Sequence, residues 1–146
     1  MITQLTVEQV PLAVEFGSLF WAEGKLPGSF VPAKFVGTWK RATANGSGGI
    51  LGQWSEGKLV GILGFFMWPD INDGELVATE AFWYVKEEHR GNGVRLLLAY
   101  EKLAREQGCK RIGMVHLSAL KADKLSALYE RMGYVPTETH YFKEIK

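Results

Sequence analysis

Of the 146 residues only Cys109 is a cysteine, so no disulfide forms within the chain and a reducing compartment is expected. Neither sign of charge is in excess: 17 Lys and Arg face 16 Asp and Glu, a formal net charge of +1. A dedicated nucleic-acid binder carries a basic excess and a patch of interleaved aromatic and basic residues, and the sequence has neither. No apolar run approaches the roughly 20 residues that span a bilayer, so no membrane partner is expected. The stretch MITQLTVEQV (Met1–Val10) lacks a basic segment followed by an apolar one, the pattern of a secretion signal. The cytoplasm is the expected compartment. There is no internal repeat and no low-complexity linker. No His/Cys/Asp cluster has metal-ligand spacing, so no metal is expected. What is left is the composition of an ordinary globular protein, 47% apolar, with a length that suits one domain over residues 1–146.

Helical and β periods succeed one another along the chain. The N-terminal part reads as helical, with two start signals that disagree. Thr6 and Gln9 form a capping-box pair, whereas Pro11 suits a first helical position. The start is left between Thr6 and Val10, followed by a stripe of Leu12, Phe16, Leu19 and Phe20 expected to be buried. EGKLPGS (Glu23–Ser29) breaks that helix, and Pro32 opens a second with Phe35, Val36 and Trp39 on one side. ATANGSGG (Ala42–Gly49) is a loop by composition. ILGQW (Ile50–Trp54), a turn at Ser55-Glu56-Gly57, and KLVGILGFFMW (Lys58–Trp68) read as an antiparallel hairpin. PDINDG (Pro69–Gly74) turns into the strand ELVATEAFWYV (Glu75–Val85).

From Val94 the period changes. Leu96, Leu97, Tyr100, Leu103 and Ala104 mark a helix that ends before Gly108. RIGMVHL (Arg111–Leu117) is a strand. Leu125, Leu128, Tyr129 and Met132 mark a helix closed by Gly133, and YVPTETHYFKEI (Tyr134–Ile145) supplies one or more closing β segments. The order is helix, helix, antiparallel strands, helix, strand, helix, strand. That is an α+β fold with one β-α-β crossover, whose two strands should run parallel.

The junction EHRGNGVR (Glu88–Arg95) joins a β run to a helix with two glycines and two arginines. A helix N-terminus presents unpaired N–H groups and partial positive charge, which suits a pyrophosphate. Gly91 and Gly93 would let such a ligand approach the backbone, and Arg90 and Arg95 add charge. A tight turn with solvated arginines is the alternative, and glycine spacing alone does not separate the two. Two nucleotide motifs fail here: the third glycine of G-x-G-x-x-G falls on Leu96, and no Gly-Lys-Ser/Thr ending is present.

WYVKEEHRGNGVRLLLAYEKLA (Trp83–Ala104) has a strand ending in Val85, then Arg90, Gly93 and Val94 opening a helix. ALYERMGY (Ala127–Tyr134) follows one strand later. These two segments, in this order and on these elements, resemble the GNAT family of N-acetyltransferases over nearly the whole chain. The resemblance implies a mixed, mostly antiparallel central sheet flanked by helices, with a β-α-β core that binds acetyl-CoA. It implies pyrophosphate on the amides of Arg90, Gly91, Asn92, Gly93, Val94 and Arg95, and pantetheine along Trp83, Tyr84 and Val85. Arg95 replaces the motif's last Gly/Ala, and Ala122 stands where the family often has an asparagine. Asp123 and Ser118 are the candidates to substitute for it.

Acetyl transfer to an amine needs a base, stabilisation of the carbonyl oxygen and a proton for the departing thiolate. The resemblance makes Tyr129 the proton donor; its other reading is a core aromatic beside Leu125 and Met132. Backbone N–H groups near Tyr84 and Val85 would polarise the thioester carbonyl. Glu80 is out of character in an apolar strand and is the candidate base, against a solvent-facing or edge position. Glu75 is a weaker candidate, His116 reads as a core or surface histidine before a base, and His89 as lining the rim of the phosphate loop. Trp21 and Phe30 are candidates for the acceptor site between the first two helices, while Phe20 reads as core. The acceptor is a small amine, an amino acid or a protein amine, and a homodimer is left open. The leading expectation is acetyl transfer from acetyl-CoA to an amine by direct transfer in a ternary complex. The alternative is a CoA- or protein-binding module of the same fold without turnover.

Overall fold

The computed structural model describes residues 1–117 and 122–145. Its sheet has five strands in sequential order: β1 (Ile2–Gln4), β2 (Gly48–Ser55), β3 (Lys58–Pro69), β4 (Leu76–Val85) and β5 (Arg111–Gly113). Every pair is antiparallel except β4 with β5, which run parallel through the crossover helix α3 (Val94–Glu106). Glu56 and Gly57, both with positive φ, make the two-residue turn that fixes the β2–β3 register. A 3-10 helix (Val7–Ala13), α1 (Val14–Glu23) and α2 (Pro32–Asn45) cover one face around Phe16, Phe20, Trp39, Ile62 and Phe82. α3 and α4 (Ala122–Arg131) cover the other, around Leu63, Phe65, Leu97, Tyr100 and Tyr129.

The N-terminus reconciles its two start signals. Thr6 and Gln9 do form a capping box, but on the 3-10 helix, which contains Pro11, and α1 starts only at Val14. The tighter 3-10 winding shifts the buried face. Val10, Ala13, Phe16 and Phe20 point inward, while Leu12 and Leu19 lie exposed, contrary to the expected stripe. β1, too short for a period to register, was not expected. The expected loop at Ala42–Gly49 shrinks to Gly46-Ser47, because α2 runs to Asn45 and β2 begins at Gly48.

Two expectations near the C-terminus are corrected. RIGMVHL pairs only through Gly113, since the next residues leave the ladder. No strand occurs among residues 134–145. Tyr134 is drawn inward by its N–H bond to the Tyr129 carbonyl and its hydroxyl bond to Glu101. Beyond it Pro136 offers no ladder N–H, and Val135, Tyr141, Phe142 and Ile145 are exposed.

One irregularity positions the site. The β3–β4 register slips between Gly64 and Phe65, which pair with Phe82 and Glu80, so Ala81 is an extra residue on β4. The bulge reverses the alternation along the strand. Ala78 before it and Trp83 and Val85 after it pack on the α3–α4 side, while Phe82 and Tyr84 face α1 and α2.

Candidate active site

β4 and β5 part after the Thr79–Gly113 pair, so among the described residues β4 has no strand neighbour on that side beyond Thr79. Which backbone groups are left there follows from the ladder with β3. Lys86 donates to the Val60 carbonyl at 2.9 Å, so the pairs Val60–Lys86 and Ile62–Tyr84 are the hydrogen-bonded ones. The N–H and C=O of Tyr84 are therefore spent on Ile62. Those of Trp83 and Val85 point outward, into the parting.

Two polar side chains meet in that parting. Glu80 is buried, and its Oε2 accepts the Val115 N–H at 2.7 Å. Tyr129, also buried, donates its hydroxyl to the Val115 carbonyl at 3.0 Å. Both main-chain groups of Val115 are thus held by side chains. Burial pushes the Glu80 carboxyl up to about 8, against the pull of the Val115 N–H. Burial, reinforced by nearby Glu80 and Tyr134, pushes the Tyr129 hydroxyl well above the usual tyrosine range. The Trp83 ring lies 6.5 Å from that of Tyr129, and its buried Nε1 has no hydrogen-bond partner among the described residues.

At the end of β4 the chain makes a 3-10 turn (Glu87–Asn92) and enters α3 at Val94 without a side-chain cap. The two glycines have different reasons to be there. A Cβ on Gly93 would lie 3.3 Å from the Arg90 carbonyl and 3.5 Å from a Val85 methyl, so this position is close-packed by its own loop. A Cβ on Gly91 would meet none of the described residues within 4 Å, and its φ is not in the left-handed region. Neither backbone strain nor packing within the chain accounts for Gly91, which leaves open space over the loop. Asn92, Val94 and Arg95 are exposed, and Arg95 borders a shallow hollow with Met1, Ile2 and Leu98.

Arg90 is engaged elsewhere. Its Nε donates to the outward Val85 carbonyl at 3.0 Å, and its guanidinium lies 3.7 Å from Glu23 and 5.5 Å from the Tyr84 ring centre. Tyr84 in turn donates to Glu23 at 3.1 Å. Glu23, at the end of α1, had no signal in the sequence, where it read as part of a helix break. The neighbouring Gly24 packs against Leu117, since a Cβ there would lie 2.8 Å from it. The C-terminus of α1 therefore reaches both β4 and the segment after β5.

Phe20 is core and packs 6.2 Å from Phe82. Phe30 lies 5.2 Å from Phe35 and covers Gly17 on α1, and the buried Nε1 of Trp21 has no hydrogen-bond partner among the described residues. Both are half-buried on the α1–α2 side, and among the described residues neither is hydrogen-bonded to Glu80 or Tyr129 or ring-stacked on Tyr129. Glu75 and His116 are exposed and His89 is half-buried. Ala122 opens α4 and Asp123 is exposed, while Ser118 lies outside the described residues. Among the described residues no three His, Cys, Asp or Glu are grouped to hold a metal ion, and no helix is long and apolar enough to cross a membrane.

The site is thus a parting of two parallel strands beside a glycine loop and a helix N-terminus. The family model described as the acetyltransferase (GNAT) family matches residues 18–134, and this chain belongs to that family. Membership supports acetyltransferase chemistry in general. Among curated proteins none matches the sequence significantly. Solved structures share the fold at low identity. A ribosomal-protein-alanine N-acetyltransferase from Brucella melitensis biovar Abortus superposes with a TM-score of 0.74 at 18% identity, covering 99% of both chains. An aminoglycoside acetyltransferase from an uncultured soil metagenomic sample gives 0.79 at 16%, covering 100% of this chain and 96% of the other. A transcriptional regulator from Bacillus halodurans gives 0.80 at 16%, covering 99% of both.

Proposed function

We propose that this protein transfers an acetyl group from acetyl-CoA directly to an amine, with both substrates held together on one domain over residues 1–146. The observation that carries this reading is the parting of β4 from β5 beside the glycine loop. It leaves the N–H and C=O of Trp83 and the N–H of Val85 free for an extended ligand, the Val85 carbonyl being taken by Arg90, and open space over Gly91 for a bulky anion. Residues Arg90, Gly91, Asn92, Gly93, Val94 and Arg95 would hold the pyrophosphate, and Trp83, Tyr84 and Val85 would line the pantetheine.

Acetyl-CoA supplies an activated thioester; the chain supplies proton handling and orientation. Glu80, whose carboxyl ionises near 8, suits a general base for an ammonium acceptor, because a base works best when its pKa lies near the working pH. Tyr129, protonated throughout the working range, is the proton source for the leaving thiolate. The Val85 N–H, outward and unspent on β3, is the group that polarises the thioester carbonyl. Trp21 and Phe30 flank the acceptor side. The acceptor is a small amine, an amino acid or a protein amine; proteins of this fold bear names from both ends of that range. The cytoplasm is the proposed compartment, with neither nucleic acid nor membrane as partner and no metal.

One observation favours a second reading, a CoA-binding module without turnover. Glu80 and Tyr129 are both committed to Val115, so chemistry requires one of those bonds to exchange. CoA at about a hundred times its Kd should add ~2.7 kcal/mol and raise Tm by roughly 5–10 °C. Acetyl-CoA should release free thiol with at least one member of a panel of amines, amino acids and peptides. No Tm shift with millimolar CoA or acetyl-CoA overturns the proposal. A shift with no thiol release across the panel selects the second reading.

A further inference from the structure

The β4–β5 ladder could run on past Gly113, since the chain continues through Met114 and Val115 beside Glu80 and Ala81. It does not, and the group found at the parting is a carboxyl. The Val115 N–H bonds the Glu80 Oε2 at 2.7 Å, not a main-chain carbonyl of β4. The Val115 carbonyl is taken by Tyr129 at 3.0 Å. Main-chain pairing would satisfy both groups without burying a carboxyl, which is costly inside a protein. A small or apolar residue is the ordinary choice at such a position, and Ala78, two residues earlier on the same face, is one.

We infer that Glu80 is a positioning residue whose side chain acts as a spacer, holding the segment after β5 off the outward edge of Trp83. The Ala81 bulge reorients β4, but a bulge by itself does not occupy the donor on the other strand. Glu80 does so at side-chain length, and Tyr129 fixes the same residue from α4. The inference rests on the proposed use of that edge for CoA, and adds why the edge stays free.

The test compares wild type, Glu80→Gln and Glu80→Val as full chains. Gln keeps a carbonyl oxygen for Val115, whereas Val has no acceptor and suits a strand. Amide hydrogen exchange at Trp83 reads the edge without any ligand. It should stay at the wild-type rate in Glu80→Gln and slow at least tenfold in Glu80→Val as the strands close. CoA calorimetry reads the consequence: Kd within threefold of wild type for Gln, and weakened at least tenfold for Val, with no fall in unliganded Tm. Wild-type exchange at Trp83 in Glu80→Val overturns the spacer and leaves the bulge as the cause. Closure of the edge in Glu80→Gln overturns it as well. If Glu80→Val does not fold, Glu80→Thr, which also cannot span the gap, is held to the same outcomes. Failure of wild type to bind CoA overturns the proposed function instead, and the exchange rates still decide the spacer.

Discussion

Replacing Glu80 with glutamine should change how stability depends on pH more than it changes stability itself. The carboxyl is buried and ionises at about 8 in the folded chain, against an ordinary value of 4.5. Between those values the folded state holds a proton that the unfolded state has released. Its contribution is therefore full below the unfolded value and is lost as pH rises through the folded one. From about pH 5 to about pH 8 the loss is on the order of 3 kcal/mol, at ~1.4 kcal/mol for each pKa unit. With an unfolding entropy of ~2.1 cal/mol/K per residue, that is a fall in Tm of about 10 °C. The neighbours facing Glu80 do not confuse the window. Tyr100 of α3, Tyr129 of α4 and Tyr134 after it are all pushed upward by burial, away from it. Glu80→Gln keeps the acceptor for Val115 and has no proton to release. Thermal melts across this range should fall about 10 °C further in wild type than in the variant. Parallel curves would mean that Glu80 is ionised and solvated in solution, and the description of it as a buried neutral carboxyl would be wrong.

Tyr129→Phe keeps the ring against Trp83 and Tyr134 but frees the Val115 carbonyl, at a cost of about 1 kcal/mol. On an acceptor for which chemistry limits the rate, kcat should fall at least tenfold while the acetyl-CoA Kd holds, as expected for a general acid worth about 10²–10⁴-fold. An unchanged kcat would make Tyr129 a core aromatic. The two loop glycines should separate under substitution. Gly91→Val, with free space around it, should leave the unliganded Tm within about 2 °C and weaken CoA at least tenfold. Gly93→Val should lower both Tm and affinity, since its Cβ already lies 3.3 Å from the Arg90 carbonyl and overpacking costs about 1–3 kcal/mol. Wild-type CoA affinity in Gly91→Val would move the pyrophosphate away from this loop.

Local periods and turn chemistry carry one part of this fold. The Glu56–Gly57 hairpin, the face of α3 carrying Leu96, Leu97 and Tyr100, and the strand-to-helix junction at Gly91–Gly93 were all legible, because each follows from a few adjacent residues. Glu80 was conspicuous for the same reason, a carboxylate inside an apolar strand. Tyr129 was found through its matched segment, and its partner was not. The rest belongs to pairings between residues far apart in the chain. Only the β3–β4 register reveals that Ala81 is an extra residue, and so which backbone groups of Trp83 and Val85 face outward. Only packing brings Glu23 to Arg90 and Tyr84, and only tertiary structure stops β5 at Gly113 by meeting Val115 with two side chains. A strand's period states which residues alternate; what pairs with its edge is set by the chain that arrives there, and at this site a carboxyl and a hydroxyl hold that chain away.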